Sequence, residues 1–178
     1  LMKAKDRFGQ PTTTTDGWWR IPFRYDKNCA PVHKVGEEDY WKKAFHGTSF
    51  SSLSGIIASQ GIMESVTDHG TGVFTHKEEL MQKALGYCSL TDLYDDGLLW
   101  CCLIECEVNN YISQAHTHKD QWYHPTGQVD IKAVWIRTYT VAELDAADQW
   151  TIFKKLLPSW EFDPMRTVQS EMRKRRFI

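Results

Sequence analysis

Runs of apolar residues, and their alternation with polar ones, predict strands and helices along most of the chain after residue 40. The strongest strand prediction covers 98–108, because its first half is continuously apolar, as in strands buried on both faces. Alternating apolar positions predict a second strand over 129–137. A shorter strand is predicted to end at Phe45-His46 and a two-residue strand at Val73-Phe74, after a glycine-bearing loop over 62–72.

Helical spacing follows the first of these strands. Ser49 or Ser51 can cap a helix, and Gly61 is placed where a C-terminal cap is expected. Positions at i, i+3 and i+4 between them are apolar: Leu53, Ile56 and Ile57. The segment therefore predicts an amphipathic helix directly after His46.

Two further helices are predicted from capping boxes, in which Ser or Thr is followed three residues later by Glu. The first box is Thr75 with Glu78, and Leu80, Ala84 and Tyr87 share one face of the helix after it. The second box is Thr140 with Glu143, which opens a helix running to about Leu157, before Pro158.

Together these elements predict an α+β protein with one globular domain, since 178 residues are of ordinary size for a single domain. Residues 1–40 look irregular, with a threonine-rich turn and a short aromatic run, and are interpreted as an N-terminal wrapping segment. The regular pattern predicts that the globular domain covers 41–178.

Composition limits the function classes. A net charge of -2 argues against general nucleic-acid binding, which needs a strongly basic face, and the basic run 173–176 is the one hint of a nucleic-acid acceptor. Five cysteines, three of them in one apolar run, favour a reducing compartment. No apolar run is long enough to span a bilayer. We therefore expect an intracellular monomer, cytoplasmic or nuclear, without a membrane partner.

The order of motifs from 41 to 137 resembles the catalytic domain of ADP-ribosyltransferases of the diphtheria-toxin and poly(ADP-ribose) polymerase type. The motifs are His46-Gly47-Thr48 with its helix, Gly72-Val73-Phe74, the Ala84-Leu85-Gly86-Tyr87-Cys88 segment and the long apolar strand. The resemblance implies split antiparallel β-sheets with flanking helices, and a His, a Tyr and a Glu around the nicotinamide ribose of NAD.

The resemblance gives each matching residue an expected role. His46 would bind a ribose hydroxyl of NAD, the Gly47 backbone would pair with the nicotinamide carboxamide, and Tyr87 would stack on the nicotinamide ring. The expected NAD-binding residues are completed by Thr48, Gly72 and Phe74. Because nicotinamide leaves as a neutral molecule, the site mainly has to position NAD and stabilise an oxocarbenium-like centre.

The third catalytic position departs from the family pattern, because Gln121 aligns where the family has Glu. An amide can bond a ribose hydroxyl, but it cannot activate an acceptor hydroxyl as a carboxylate can. Polymer extension is therefore not expected. Asp120 and Gln128 are the alternatives if the strand register slips, and Asp120 would restore a carboxylate.

The sequence thus predicts a mono-ADP-ribosyltransferase that transfers one ADP-ribose from NAD to a protein or nucleic-acid acceptor. A catalytically inactive module that binds NAD or ADP-ribose is the alternative, since Gln121 replaces Glu. An NAD-dependent RNA 2'-phosphotransferase ranks third, because no Arg lies close in sequence to His46 or Tyr87. A cysteine hydrolase built on Cys101 or Cys102 ranks last.

Structural interpretations of the same residues stay open. His46 can be a core histidine bonded to a carbonyl, and Tyr87 can pack in the core. The three histidines His116, His118 and His124 are interpreted as part of a solvated loop, and no metal is predicted. Glu105 and Glu107 share one strand face, which is interpreted as solvated.

Overall fold

The computed structural model describes residues 8–26, 40–67, 70–109, 117–118 and 121–146. These residues form a sheet of ten strands, and every pairing between them is antiparallel. In chain order the strands are β1 Thr12–Thr13, β2 Trp19–Pro22, β3 Trp41–Thr48, β4 Ser65–Thr67, β5 Gly70–Lys77, β6 Thr91–Asp92, β7 Leu98–Asn109, β8 Thr117–His118, β9 Gln121–His124 and β10 Val129–Thr140.

Three α-helices accompany the sheet in the described part of the chain: α1 Phe50–Ser59, α2 Met81–Leu85 and α3 Val141–Ala146. Short 3-10 helices occupy Glu78–Leu80 and Thr126–Gln128. The expected α+β class is confirmed in this general sense, as a mostly antiparallel sheet with a few helices. Among these residues no helix is long and apolar enough to cross a membrane.

Strand β7 is the centre of the sheet, whose order is β1-β2-β10-β7-β3-β5-β9-β8. Its continuous apolar run correctly predicted a strand covered on both faces. Successive residues of a strand point to opposite faces. Accordingly Cys102 and Ile104 join one buried cluster with Leu53 and Ile56 of α1, whereas Leu103 joins a second cluster on the other face.

The N-terminal segment is more regular than its sequence indicated. Trp19–Pro22 is a strand that pairs with β10, and Trp18 is buried in the second cluster. The expectation of irregular backbone is therefore wrong for these residues. Pairing explains the difference, since β2 covers the edge that the long strand β10 would otherwise leave open.

The second predicted helix begins later than its capping box suggested. Thr75 and His76 are buried residues of β5, and α2 starts at Met81 without a side-chain cap. Tyr87 follows the helix end at Gly86 and is not part of an apolar helix face. Pairing of β5 with both β3 and β9 overrides the local capping signal.

Other boundaries are partly confirmed. Ser49 caps α1 by accepting a hydrogen bond from the Ser52 N–H, but the left-handed residue at the helix end is Gln60, with φ 57°, and Gly61 comes after it. The predicted loop 62–72 contains β4 and the start of β5. The Thr140 capping box is confirmed by its bonds with Glu143, while the predicted helix beyond Ala146 lies outside the described residues.

Candidate functional site

Strands β3 and β5 pair over two rows and then separate. The rows are Ala44 with Lys77 and Phe45 with His76, and no further row joins the two strands among the described residues. Strand β3 nevertheless continues along β7 as far as Thr48. The sheet therefore splits on one side of His46, Gly47 and Thr48, where strand backbone directs alternate N–H and C=O groups towards the gap.

The His46 imidazole spans this split. Its Nδ1–H donates a hydrogen bond to the carbonyl oxygen of Phe74, at 2.7 Å. A carbonyl only accepts, so the proton lies on Nδ1 and Nε2 carries the lone pair. Burial lowers the pKa of His46 and outweighs the opposing effect of the Phe74 carbonyl. The ring is therefore neutral at pH 7, and Nε2 can accept a hydrogen bond from a hydroxyl.

Gly47 packs tightly against the segment that follows β5. A Cβ atom on Gly47 would overlap the Ala84 carbonyl oxygen and lie 2.8 Å from the Cβ of Tyr87. Such contacts leave no room for a side chain, so glycine is required here by packing rather than by backbone conformation. The Gly47 backbone and Tyr87 are consequently immediate neighbours.

Tyr87 and His76 form the next contact of the site. The two rings lie 5.6 Å apart at 33°, and Tyr87 stays 46% exposed while His76 is buried. The sequence did not indicate His76 as a site residue, because the capping box placed it in a helix. The signal that could have found it is the run Val73-Phe74-Thr75 directly before it, because β-branched and aromatic residues are enriched in strands.

Gln121 opens β9 and lies beside His76 in the strand register. Both residues point to the face that carries Tyr87, because register partners in an antiparallel pair share a face. Strand β5 separates Gln121 from β3, so the structure brings it next to His76 rather than next to His46. The alternative Asp120 lies outside the described residues, and Gln128 belongs to the 3-10 helix after β9.

The remaining predicted NAD-binding residues have different surroundings. Phe74 contributes its carbonyl to His46, and its ring contacts Tyr123 at 5.6 Å. Thr48 is buried, and its carbonyl accepts a hydrogen bond from the Cys102 thiol at 3.6 Å. A Cβ on Gly72 would lie 3.0 Å from the His124 carbonyl oxygen, so this glycine serves the contact with β9.

Glu105 was expected to be solvated, and the structure shows that this expectation is wrong. It is buried, and Arg20 donates two hydrogen bonds to its carboxylate, from Nε at 2.7 Å and from an Nη at 2.8 Å. Trp135 donates a third, at 2.6 Å. Burial alone would raise the pKa of Glu105, but the bonds from Arg20 and Trp135 together lower it. Glu105 is thus a fixed structural charge, whereas Glu107 is partly exposed beside Lys132.

His124 corrects a second expectation, that of a solvated loop. It is a buried residue of β9, with Nε2 3.3 Å from the Thr75 hydroxyl, and burial lowers its pKa to about 4. His116 and the side chain of His118 lie outside the described residues.

The cysteines of β7 are also buried, and desolvation raises the pKa of Cys102 and Cys106. Thiols in this state are poor nucleophiles.

No family model matches this sequence, and no curated protein is similar enough to it to count as a match. The interpretation of the site therefore depends on its geometry. That geometry brings Gly47, His76 and Tyr87 together at the split, with Gln121 beside His76. The side chain of His46 borders the same split but leaves β3 on the opposite face of the sheet.

Proposed function

We propose that this chain binds NAD at the split between β3 and β5 and transfers one ADP-ribose to an acceptor, with release of nicotinamide. On this proposal the split sheet is the fold of the diphtheria-toxin and poly(ADP-ribose) polymerase type of ADP-ribosyltransferase. One observation carries the proposal: Gly47 directly contacts Tyr87 while the adjacent His46 reaches across the split to Phe74.

This arrangement suits a ligand that joins a planar amide to a ribose. The open edge of β3 beside Gly47 offers backbone groups to a carboxamide, and the half-exposed Tyr87 ring offers a face for a pyridine ring. The neutral His46 ring presents Nε2 as an acceptor for a ribose hydroxyl. An amide, an aromatic ring and a sugar hydroxyl are the features of the nicotinamide riboside half of NAD.

The transfer reaction needs little general-acid catalysis, because nicotinamide leaves without being protonated. The bond between the ribose C1' and the nicotinamide nitrogen breaks, and its electron pair leaves with nicotinamide, which becomes neutral. The acceptor oxygen or nitrogen then bonds to C1' and loses its proton to a base. Holding both partners in line and stabilising the oxocarbenium-like centre supply most of the rate enhancement.

The base for the acceptor proton distinguishes transfer from simple binding. The Gln121 amide cannot take up a proton, and the buried Glu105 is bound by Arg20 and Trp135. These two observations favour a second candidate function, a module that binds NAD without turning it over. An imidazole, that of His76, lies in register with Gln121 and supports the catalytic alternative.

Labelled NAD tests the first candidate. The full chain is incubated with a cell lysate and with NAD that is labelled separately in nicotinamide and in the adenylate. Released nicotinamide and adenylate label bound to one acceptor are the expected results, and His46→Ala and Tyr87→Ala should each reduce release at least about tenfold. Met63→Ala, a change at an exposed residue of the described surface, is the matched control.

Calorimetric titration with NAD separates the two candidates. Binding that is lost in Tyr87→Ala, without nicotinamide release, supports the binding module. Absence of binding by the folded protein contradicts both. Turnover that His46→Ala leaves unchanged would place the activity elsewhere and contradict the proposed site.

A further inference from the structure

Four aromatic side chains form a surface at the end of the sheet where β3 finishes. They are Trp19, Phe50, Tyr94 and Trp100, called here the aromatic surface. The ring of Trp100 contacts each of the others edge-on, at centroid distances of 6.5 Å to Trp19, 6.4 Å to Phe50 and 5.6 Å to Tyr94. Trp19 is 48% exposed and Tyr94 is 70% exposed. Apolar rings with this much exposure, grouped in contact, are typical of an interaction site.

The aromatic surface lies beside the part of the candidate site that His46 and Thr48 form. Phe50 begins α1 two residues after Thr48, and Trp100 lies two residues from Cys102, the register partner of Thr48. Trp100, Thr48 and His46 occupy alternate positions of the paired strands β7 and β3, so their side chains leave the sheet on the same face. A chain bound across these rings would therefore run beside the end of β3.

Acidic residues border the aromatic surface. Asp95 and Asp96 directly follow Tyr94 and are exposed, and the segment 91–97 contains no Lys or Arg. The loop is held in place because the Asp92 carboxylate accepts the Asp95 N–H at 2.7 Å and the Asp96 carboxylate accepts the Leu98 N–H at 3.0 Å. Exposed aromatic faces and carboxylates both attract cations, and together they repel phosphate.

We propose that the aromatic surface, with Asp95 and Asp96, docks an arginine- or lysine-rich segment of a partner protein. Guanidinium or ammonium groups would stack on Trp19 and Tyr94 and pair with the two carboxylates. The further step, that such a partner is the ADP-ribose acceptor, rests on the proposed function. The docking itself does not depend on NAD.

Fluorescence anisotropy with three labelled probes tests the docking. The probes are a peptide of alternating arginine and glycine, a peptide of the same length with glutamate for arginine, and an oligouridylate of comparable length. The full chain, without NAD, should bind the arginine peptide more tightly than the other two, and added salt should weaken this binding. Equal binding of the two peptides, or tighter binding of the RNA, would overturn the proposal.

Variants connect the binding to this surface. Tyr94→Ala should weaken arginine-peptide binding about two- to fivefold, the scale of one exposed cation–π contact. The double change Asp95→Asn and Asp96→Asn should weaken it as well and reduce its salt dependence. Asparagine keeps an oxygen acceptor and tolerates the left-handed backbone of Asp95, at φ 56°. Val66→Ala, an exposed apolar residue of β4, should leave binding unchanged.

The occupant can be distinguished from a second copy of the chain. Sedimentation velocity is measured over a range of protein concentrations on the unchanged chain and on Tyr94→Ala. We expect no dimer that is present in the unchanged chain and lost in the variant. A dimer of that kind would assign the surface to self-association and overturn the proposal. Peptide binding that is unaffected by both the Tyr94 and the Asp95/Asp96 changes would do the same. Because the titrations contain no NAD, failure of the proposed transfer activity leaves their outcome unaffected.

Discussion

Gly47 and Tyr87 are in such close contact that a Cβ on Gly47 would lie 2.8 Å from the Cβ of Tyr87. Real Cβ atoms do not approach other carbon atoms this closely without displacement. The same added atom would overlap the Ala84 carbonyl oxygen, which belongs to the backbone of α2. The position of Tyr87 is therefore coupled to the absence of a side chain on β3.

This contact predicts that Gly47→Ala displaces α2 and Tyr87 together. Overpacking of a well-packed region costs about 1–3 kcal/mol, so the free energy of unfolding should fall by that amount in urea titrations. On the proposed function, NAD affinity should fall further than stability alone explains, because the stacking ring moves away from the carboxamide position.

Gly55→Ala is the matched control for the glycine change. Gly55 lies inside α1, and an added Cβ would meet no other atom within 4 Å. Alanine in a helix interior should raise stability by about 0.5–1 kcal/mol and leave NAD binding unchanged. Equal effects of the two substitutions would contradict the packing argument for Gly47.

His76 provides a second prediction, because its ring faces the Tyr87 ring at 5.6 Å. His76→Ala should lower stability by about 1 kcal/mol through loss of this aromatic contact, and should raise the KM for NAD by loosening Tyr87. His76→Phe keeps an aromatic ring and should restore the KM. His76→Phe also removes the imidazole. If its kcat is lower than that of the unchanged chain although its KM is restored, the imidazole of His76 takes part in proton transfer.

The outcome that contradicts this positioning role is equally specific. If His76→Ala and His76→Phe give the same KM for NAD as the unchanged chain, Tyr87 does not depend on the neighbouring ring. A parallel measurement on Met63→Ala controls for changes in the amount of active protein, since Met63 is an exposed residue away from these rings.

Long, strongly patterned elements were predictable from the sequence. The continuous apolar run of β7 and the alternation in β10 gave both strands, and the serine cap with its apolar stripe gave α1. In each of these the local pattern and the tertiary environment agree. Such agreement makes a short stretch of sequence sufficient for the prediction.

Segments whose local signals compete with pairing were not predictable in this way. Thr75 to Glu78 reads as a capping box, but Thr75 to Lys77 belong to β5, which pairs here with β9 on one side and β3 on the other, and long-range pairing prevails. Arg20 and Glu105 are 85 positions apart, so nothing local reveals that one neutralises the other. The sequence did not place His76 beside Tyr87 because the capping box put His76 in a helix, whereas it is a residue of β5.

The Arg20–Glu105 pair supports a third prediction. Arg20→Ala leaves a buried carboxylate with Trp135 as its remaining hydrogen-bond donor among the contacts described above. Removing one partner of a buried ion pair is strongly destabilising, and since Arg20 is itself partly exposed we expect a loss of about 2–3 kcal/mol in urea titrations.

The exposed pair of Lys43 and Glu78, at 2.7 Å, is the control for this change. Both partners are solvated, and solvent screening makes such a pair worth little, so Glu78→Gln should change stability by less than about 0.5 kcal/mol. Arg20→Lys distinguishes charge from geometry. A lysine cannot make the bidentate contact, and we expect it to recover less than half of the loss. If Arg20→Ala and Glu78→Gln lower the free energy of unfolding by similar amounts, the buried ion pair contributes no more to stability than the exposed one.

His124 predicts how stability depends on pH. Burial lowers its pKa to about 4 in the folded chain, against about 6.5 for an unfolded histidine. As the pH falls below about 6.5, the unfolded chain takes up a proton that the folded chain does not. Stability is therefore complete above this range and is lost progressively as the pH falls towards 4.

Urea titrations between pH 7 and pH 5 measure this effect before Glu105 begins to titrate. Each pH unit is worth about 1.4 kcal/mol for one such group, so His124 should account for a loss of about 2 kcal/mol over this interval.

His46, whose pKa is also lowered by burial, acts in the same direction, and the difference between the unchanged chain and His124→Gln isolates the His124 part. The variant should start less stable at pH 7, since it disturbs the contact with Thr75, and should lose less on acidification. Parallel curves for the two proteins would mean that His124 is protonated as readily in the folded chain as in the unfolded one.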